Sequence, residues 1–436
     1  MRADLARALA GGFLAAEWTR PGLVDGGAVV LGRRVRWMPA LTRQVLALYP
    51  RPPLDRPREL AAIISTRPAA AQAGRARPMA HPLAPVRMVS NPWRLVVLHD
   101  LAEVGSLLGL SQPELAWFSD PRHWSRTAQQ VPLQHYRISS RTAPSGAIRV
   151  LEAPKRHLKA IQRQLLQEIV GRIPPHEATH GFRVGRSVGS YAAPHAGRAV
   201  VIRSDLEGFF ASVTVGRVYG VLRTAGYPEP VAHCLAGLMT TVLPLSAWRK
   251  IPRPTDPVLL DAHWRLGRRL AAPHLPQGAP TSPALANLAA YRMDIRLDAL
   301  ALSWGGQYTR YADDIAMSGD RGWGPAADRI LGIVAEIART EGFRLNARKT
   351  GVLPQAGRQV LGGLVVNDRP HVSRAEVDVL RATLHNCIRH GPSTQNRQNR
   401  TAFEQYLQGR IAWVAQHDRD RGARLRTQFD AIDWTR

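Results

Sequence analysis

The 436-residue sequence carries 59 Lys and Arg against 33 Asp and Glu, a formal net charge of +26, and 45% of its residues are hydrophobic. That is enough apolar material for two or three domains, and a basic excess spread along the whole chain points to a polyanionic partner whose phosphates Lys and Arg can neutralise. Cys234 and Cys387 are too few for a disulfide framework or a cysteine zinc site, so a reducing, cytoplasmic compartment is expected, and no stretch reaches the roughly 20 apolar residues needed to span a bilayer.

The apolar stretch 8–16 is short, interrupted by Gly11-Gly12 and flanked by Asp4 and Glu17, which predicts an ordinary first helix and not a secretory leader. Residues 66–85, rich in Pro, Ala and Arg and without periodicity, predict a flexible linker or long loop after this helical piece. Leu101, Val104, Leu107 and Leu108, then Leu115 and Trp117 after a Ser111-Gln112-Pro113-Glu114 start, predict two short packed helices. Turn-rich strands follow from Tyr136. A helix is predicted over 156–170, with Leu158, Ile161, Leu165, Leu166 and Ile169 on one face and Lys159, Arg163 and Gln164 on the other.

Residues 199–202 read as a buried strand ending at Asp205, and one helix is predicted over 283–300, opened by Pro283. Strand-like segments flank a tight turn within 308–318. Beyond Arg374 the pattern is helical, with Val377, Leu380, Leu384 and Cys387 on one face, then Phe403, Leu407, Ile411 and Val414 on another.

Asp205 at a strand end and Asp313-Asp314 at a hairpin tip have the residue types needed to hold divalent cations during phosphoryl transfer. Mg²⁺ prefers hard carboxylate oxygens, with water and substrate phosphates completing its octahedron. An Asp-Asp turn alone would equally suit a solvated loop. The setting is more specific: Arg310-Tyr311-Ala312-Asp313-Asp314-Ile315-Ala316-Met317-Ser318 resembles the signature hairpin of reverse transcriptases. Ser204-Asp205-Leu206-Glu207-Gly208-Phe209-Phe210 is similar to their first metal-binding strand, and Leu275-Pro276-Gln277-Gly278-Ala279-Pro280 to their template and nucleotide-positioning block. His180-Gly181-Phe182-Arg183, Arg344-Leu345-Asn346-Ala347-Arg348-Lys349 and Leu361-Gly362-Gly363-Leu364 match further blocks in the family's order.

The resemblance implies an α+β right-hand polymerase: an N-terminal helical extension (1–130), fingers (131–198), a palm of antiparallel sheet and helices (199–372) and a helical thumb (373–436). It implies that Asp205 and Asp313 ligate two Mg²⁺ ions with the Leu206 backbone carbonyl, Asp314 standing beside them as a supporting group or ligand. Phe210 falls where the family crowds the sugar 2′ position, with Phe209 the more buried partner; the competing reading is a core phenylalanine. Gln277 falls near the incoming nucleotide, and Lys349 near the triphosphate unless it is simply solvated. Arg183 and Arg186 flank Gly185, which permits close approach to template backbone, and Arg149, Lys155 and Arg156 could clamp phosphates from the fingers. His180 and His195 have no zinc-spaced partner and read as structural or RNA-contacting.

Size, the His180 block, Ala192 with His195, and the closing Ile411 to Trp434 segment resemble bacterial retron reverse transcriptases. That resemblance implies a structured noncoding RNA as template and primer, deoxynucleotide substrates, an RNA–DNA duplex product and short single-stranded msDNA. It further implies a role in antiphage defence, with an effector protein as a possible partner. Two positions depart from the pattern: Tyr191 replaces an expected Asn, and Leu361-Gly362-Gly363 replaces Val-Thr-Gly. No maturase, endonuclease or ribonuclease H segment is recognisable. Another defence-associated or group II intron-like reverse transcriptase, or a noncatalytic RNA-binding scaffold, are the alternatives.

Overall fold

Four helices open the chain: α1 (Ala3–Ala15), α2 (Arg20–Leu31), α3 (Met38–Leu48) and α4 (Pro57–Thr66). Leucines at helical spacing bring Leu5, Leu9, Phe13, Leu23, Leu41, Leu60 and Ile64 into one apolar core. Gly12 and Gly26 let α1 and α2 meet backbone to backbone, since a Cβ on Gly26 would lie 2.5 Å from the Gly12 carbonyl oxygen. The computed structural model describes residues 1–122, 124, 131–143 and 145–435. Its contacts divide the chain into two units, Met1–Pro174 with Phe210–Ala289, and Pro175–Phe209 with Ala290–Arg436.

The segment expected to be a flexible linker is partly built into the first unit. A 3-10 helix, Pro68–Ala73, buries Ala69, Ala70 and Ala73 in the N-terminal core, and the Met79 and Ala80 amides both donate to the Val30 carbonyl. Alanine-rich sequence looks featureless to a periodicity argument, yet small side chains are what a close helix contact accepts. Only the later part of the stretch, beyond Gly74, is a loop without regular structure.

The same unit continues through α5 (Leu101–Leu108) and α6 (Gln112–Ser119), the latter opened by a capping box between Ser111 and Glu114. The expected boundary between residues 130 and 131 falls at 125–130, outside the described residues. Strands β1 (Tyr136–Thr142) and β2 (Ile148–Pro154) pair antiparallel, and α7 (Arg156–Glu168) turns Leu158, Ile161 and Leu165 inward. Helices α8 (Val215–Thr224), α9 (Glu229–Met239), α10 (Pro257–Leu270) and α11 (Ser282–Ala289) complete the unit. Buried Glu229 accepts from the Arg58 and Glu59 amides at 2.6 and 3.2 Å, supplying the N-terminus of α4 with the cap its own residues lack.

The second unit is built on a four-stranded sheet of β3 (Val200–Asp205), β4 (Gln307–Tyr311), β5 (Asp314–Gly319) and β6 (Gly351–Pro354), ordered β4-β5-β3-β6 with every pairing antiparallel. Helices α12 (Tyr291–Ser303) and α13 (Trp323–Thr340) belong to it. The single helix expected over 283–300 is therefore two. The backbone leaves the helical path at Ala290 (ψ −3°), so that α11 buries Leu285, Ala286 and Leu288 while α12 buries Met293, Asp294, Leu297 and Ala301.

Three short strands, β7 (Val360–Leu361), β8 (Leu364–Val365) and β9 (His371–Val372), lead into α14 (Arg374–His390), α15 (Phe403–His417) and α16 (Arg419–Asp430). Leu380, Leu384, Leu407, Ile411 and Phe429 share a core with Val201 and Ala316 of the sheet. The α+β class expected from the sequence is the class observed, with a helical N-terminal region. Among the described residues no helix is long and apolar enough to cross a membrane.

Candidate active site

Strand pairing brings the three aspartates together. Asp205, the last residue of β3, is the cross-strand partner of Asp314, the first residue of β5, and Asp313 precedes it in the turn. Ala312 makes that turn possible in the left-handed region (φ +56°), and the Leu206 amide donates to the Asp313 carbonyl at 2.9 Å, tying the two strand ends. Asp205 is almost fully buried. Its Oδ2 accepts from Lys349 Nζ at 2.6 Å and its Oδ1 from Asn346 Nδ2 at 3.2 Å. Burial, then the Asp313 and Asp205 carboxylates, push the Asp314 carboxyl up to about 6, against the opposing pull of Lys349 and Arg203.

Burial contributes most to that shift, and the neighbouring carboxylates show how closely three acidic groups are set at adjoining strand ends. Such a donor set fits a hard divalent cation. Among the described residues no three His, Cys, Asp or Glu side chains converge as a ready-made cage. Mg²⁺ is usually held by one or two carboxylates, with phosphates and water supplying the remaining oxygens.

The other expected residues divide between the units. Lys349, half-exposed, lies on Asp205. Arg183 and Arg186 lie in the second unit, each donating to Glu177, at 2.7 and 2.9 Å. The loop that carries them presses on the hairpin: a Cβ on Gly181 would meet the Ala312 nitrogen at 2.5 Å, and the His180 amide donates to the Arg310 carbonyl. Phe209 is buried in the second unit with its ring against Phe343, while Phe210, more exposed, opens the returning segment of the first unit. In that unit the Gln277 carbonyl accepts the Glu152 amide at 2.8 Å, and buried Glu152 also pairs with His274 Nε2 at 2.8 Å, fastening the Gln277 loop to β2. Burial alone would lower the His274 pKa; the Glu152 carboxylate outweighs it and raises it. Lys155 donates to the Pro132 carbonyl and Arg156 begins α7, both in the first unit.

His195 is fully buried, which excludes direct contact with RNA. Thr309 Oγ1 spends its proton on the Tyr191 carbonyl at 3.0 Å, so it accepts from His195 Nε2–H at 2.7 Å, and His195 Nδ1 accepts from Ser318 Oγ at 2.7 Å. The ring thereby bolts β4 to β5. Burial first, then Arg198 and His180, push its pKa down to about 3. The two positions that depart from the retron pattern meet in space: a Cβ on Gly362 (φ +56°) would lie 2.4 Å from Val188 and 3.7 Å from the Tyr191 ring. The short approach is to Val188, and with the left-handed backbone it accounts for glycine at 362; the Tyr191 ring stands at ordinary contact distance.

Sequence reasoning missed Asp294, Arg310, Asn346 and the Glu152–His274 pair. One signal was available, an aspartate at position 294 on the helix face that Met293, Leu297 and Ala301 bury.

The family profile described as "Reverse transcriptase (RNA-dependent DNA polymerase)" matches residues 140–364. The Retron Mx65 reverse transcriptase of Myxococcus xanthus is 38% identical over 323 residues, covering 74% of this chain and 69% of that protein. The Retron Mx162 reverse transcriptase of the same organism is 36% identical over 357 residues, 78% of this chain and 68% of the relative. The Retron Ec86 reverse transcriptase of Escherichia coli is 29% identical over 255 residues, 57% and 69% respectively.

Proposed function

From the premise that this chain belongs to the bacterial retron-type reverse transcriptases, RNA-directed DNA polymerases, we propose that it copies a structured noncoding RNA into short single-stranded DNA at Asp205, Asp313 and Asp314. The observation that carries the reading is the cross-strand pairing of Asp205 with Asp314, with Asp313 in the adjoining turn.

Asp205 and Asp313, with the Leu206 carbonyl, would hold two Mg²⁺ ions and Asp314 would support them. When bound, the ions activate the primer hydroxyl and stabilise the departing pyrophosphate. Lys349 meets the triphosphate in this reading, which its hydrogen bond to Asp205 supports. Phe210 selects deoxyribose by crowding the 2′ position, and Gln277 orients the incoming nucleotide. Arg183, Arg186, Lys155 and Arg156 neutralise template phosphates, so affinity for RNA falls steeply with salt. Residues 131–198 act as fingers, 199–372 as palm and 373–436 as a thumb gripping the RNA–DNA duplex. The cytoplasm is the setting, and antiphage defence with an effector protein is the biological role.

Priming distinguishes a retron product from ordinary extension. A folded RNA can present an internal 2′-hydroxyl in line with the nucleotide α-phosphate, and extension from it leaves a branch. Expression with the native flanking DNA should yield a discrete short DNA joined covalently to RNA, shortened by ribonuclease and released by a 2′-5′ debranching enzyme. A free or protein-linked DNA 5′ end would overturn the retron priming mode and leave the polymerase standing.

A further inference from the structure

Arg310 and Asp294 form an ion pair with both side chains fully buried. Arg310 Nε donates to Asp294 Oδ1 and Nη2 to Oδ2, each at 2.7 Å. Tyr308 Oη donates to Oδ1 at 2.6 Å and Thr179 Oγ1 to Oδ2 at 3.2 Å. Four donors fill the acceptor positions that a carboxylate offers. The guanidinium reaches further: Nη1 donates to the Ala312 carbonyl at 2.8 Å, and the charged plane lies over the Phe209 ring, 5.4 Å from its centroid. One buried cation thus touches the chain just before Asp313 and four residues after Asp205.

A core does not need such a pair for stability. Desolvating two charges costs about as much as their attraction returns, and apolar residues of similar volume often serve as well or better. Apolar residues cannot aim a carbonyl. Ala312 sits in the left-handed region, which a residue with a Cβ adopts only when its surroundings enforce it. Two features enforce it here: the Arg310 arm on its carbonyl and the side-chain-free approach of Gly181 to its nitrogen.

We propose that the Arg310–Asp294 pair is a positioning unit for the polymerase centre, clamping the Ala312 turn and so fixing where Asp313 and Asp314 stand relative to Asp205 for divalent-cation binding. It acts through the turn and does not itself touch the cation. The inference rests on the reading of the three aspartates as metal ligands.

The test uses the full chain with Mn²⁺ as probe, its free fraction followed by electron paramagnetic resonance, alongside thermal unfolding and primer extension. The double variant Asp294→Leu with Arg310→Met replaces the pair by apolar residues. It should unfold within a few degrees of wild type, yet bind Mn²⁺ about 10- to 100-fold more weakly and extend primers slower by a similar factor, the range typical when support behind a metal ligand is removed. Wild-type Mn²⁺ affinity and extension in this folded variant would overturn the proposal. Should the double variant fail to fold, Arg310→Lys decides by the same readouts. It keeps the buried charge, but a single ammonium cannot hold the Asp294 fork and the Ala312 carbonyl together, so weakened Mn²⁺ binding is expected and wild-type binding refutes the clamp. A wild-type chain that bound no Mn²⁺, or extended primers without a divalent cation, would instead count against the carboxylate reading.

Discussion

The N-terminal helices and the sheet that carries the aspartates solve burial in opposite ways. The core of α1 to α4 is almost wholly apolar, closed by leucines, alanines and a glycine-to-glycine helix contact. Beneath the β4–β5 hairpin the interior holds Asp294, Arg310, Thr179, Thr309, Ser318 and His195, interlocked by hydrogen bonds. Apolar packing is non-directional and tolerates small shifts; hydrogen bonds to charged groups fix atoms in place at the expense of desolvation. The difference teaches that a directed interior is found where carboxylates must be held, and an undirected one where stability suffices.

Substitutions in the two regions should therefore fail differently. The largest effect is expected at Asp313. Asp313→Asn removes a proposed anionic metal ligand and should slow Mg²⁺-dependent extension on an RNA template by about three orders of magnitude or more, with the unfolding midpoint and RNA affinity near wild type. Single-turnover extension measures this, and a rate near wild type would dismiss the metal assignment.

In the N-terminal core the pattern should invert. Leu9→Ala empties a fully buried position and should cost about 2–5 kcal/mol of stability. Denaturant unfolding reads that loss, while the extension rate per folded molecule stays unchanged. A fall in that rate at full folding would show the N-terminal helices to be coupled to chemistry and would blur the contrast.

A smaller, selective change is expected from Phe210→Val, which shortens the side chain assigned to the sugar gate. Ribonucleotide incorporation relative to deoxynucleotide should rise by about tenfold or more, the scale of discrimination that a few methylenes provide. Competition between the two nucleotides measures it; unchanged discrimination moves the gate elsewhere, with Phe209 the next position to vary.

The last effect is felt only in acid and concerns pH. His195 has its folded pKa depressed to about 3 against an ordinary 6.5, so between those values the unfolded chain binds a proton that the folded chain refuses. Stability is fully present above pH 6.5 and declines as pH falls toward 3, by at most about 1.4 kcal/mol per pH unit from this group. His180, pushed down to about 4 by burial and then by Arg186 and Arg183, acts in the same direction. His195→Asn should flatten the acid limb of an unfolding-midpoint profile while lowering the midpoint at neutral pH. An unchanged slope would mean that the ring is not held neutral by the hairpin.

How much of this was legible beforehand differs element by element. The strand ending at Asp205, the hairpin around Asp313-Asp314 and the helices after Arg374 follow from period and turn chemistry, which are local, and the three aspartates follow from their motifs. The break at Ala290 was not legible, because no Gly or Pro stands there to mark the end of a helix. Nor was the built-in alanine segment at Pro68–Ala73, since alanine has no periodic signature of its own. The departures at Tyr191 and Leu361-Gly362-Gly363 are separate anomalies in the sequence and neighbours in space.

The sequence by itself determined the secondary structure around the motifs, the charge that calls for a polyanion and the family to which the chain belongs, because each is written in residue type and short spacing. Tertiary structure decided which residues stand behind the chemistry. Arg310 meets Asp294 across 16 residues, His195 meets Thr309 across 114 and Lys349 meets Asp205 across 144. At such separations no period or motif links the partners; chain topology brings them together, and a buried polar group is recognised as paired only once its surroundings have closed around it.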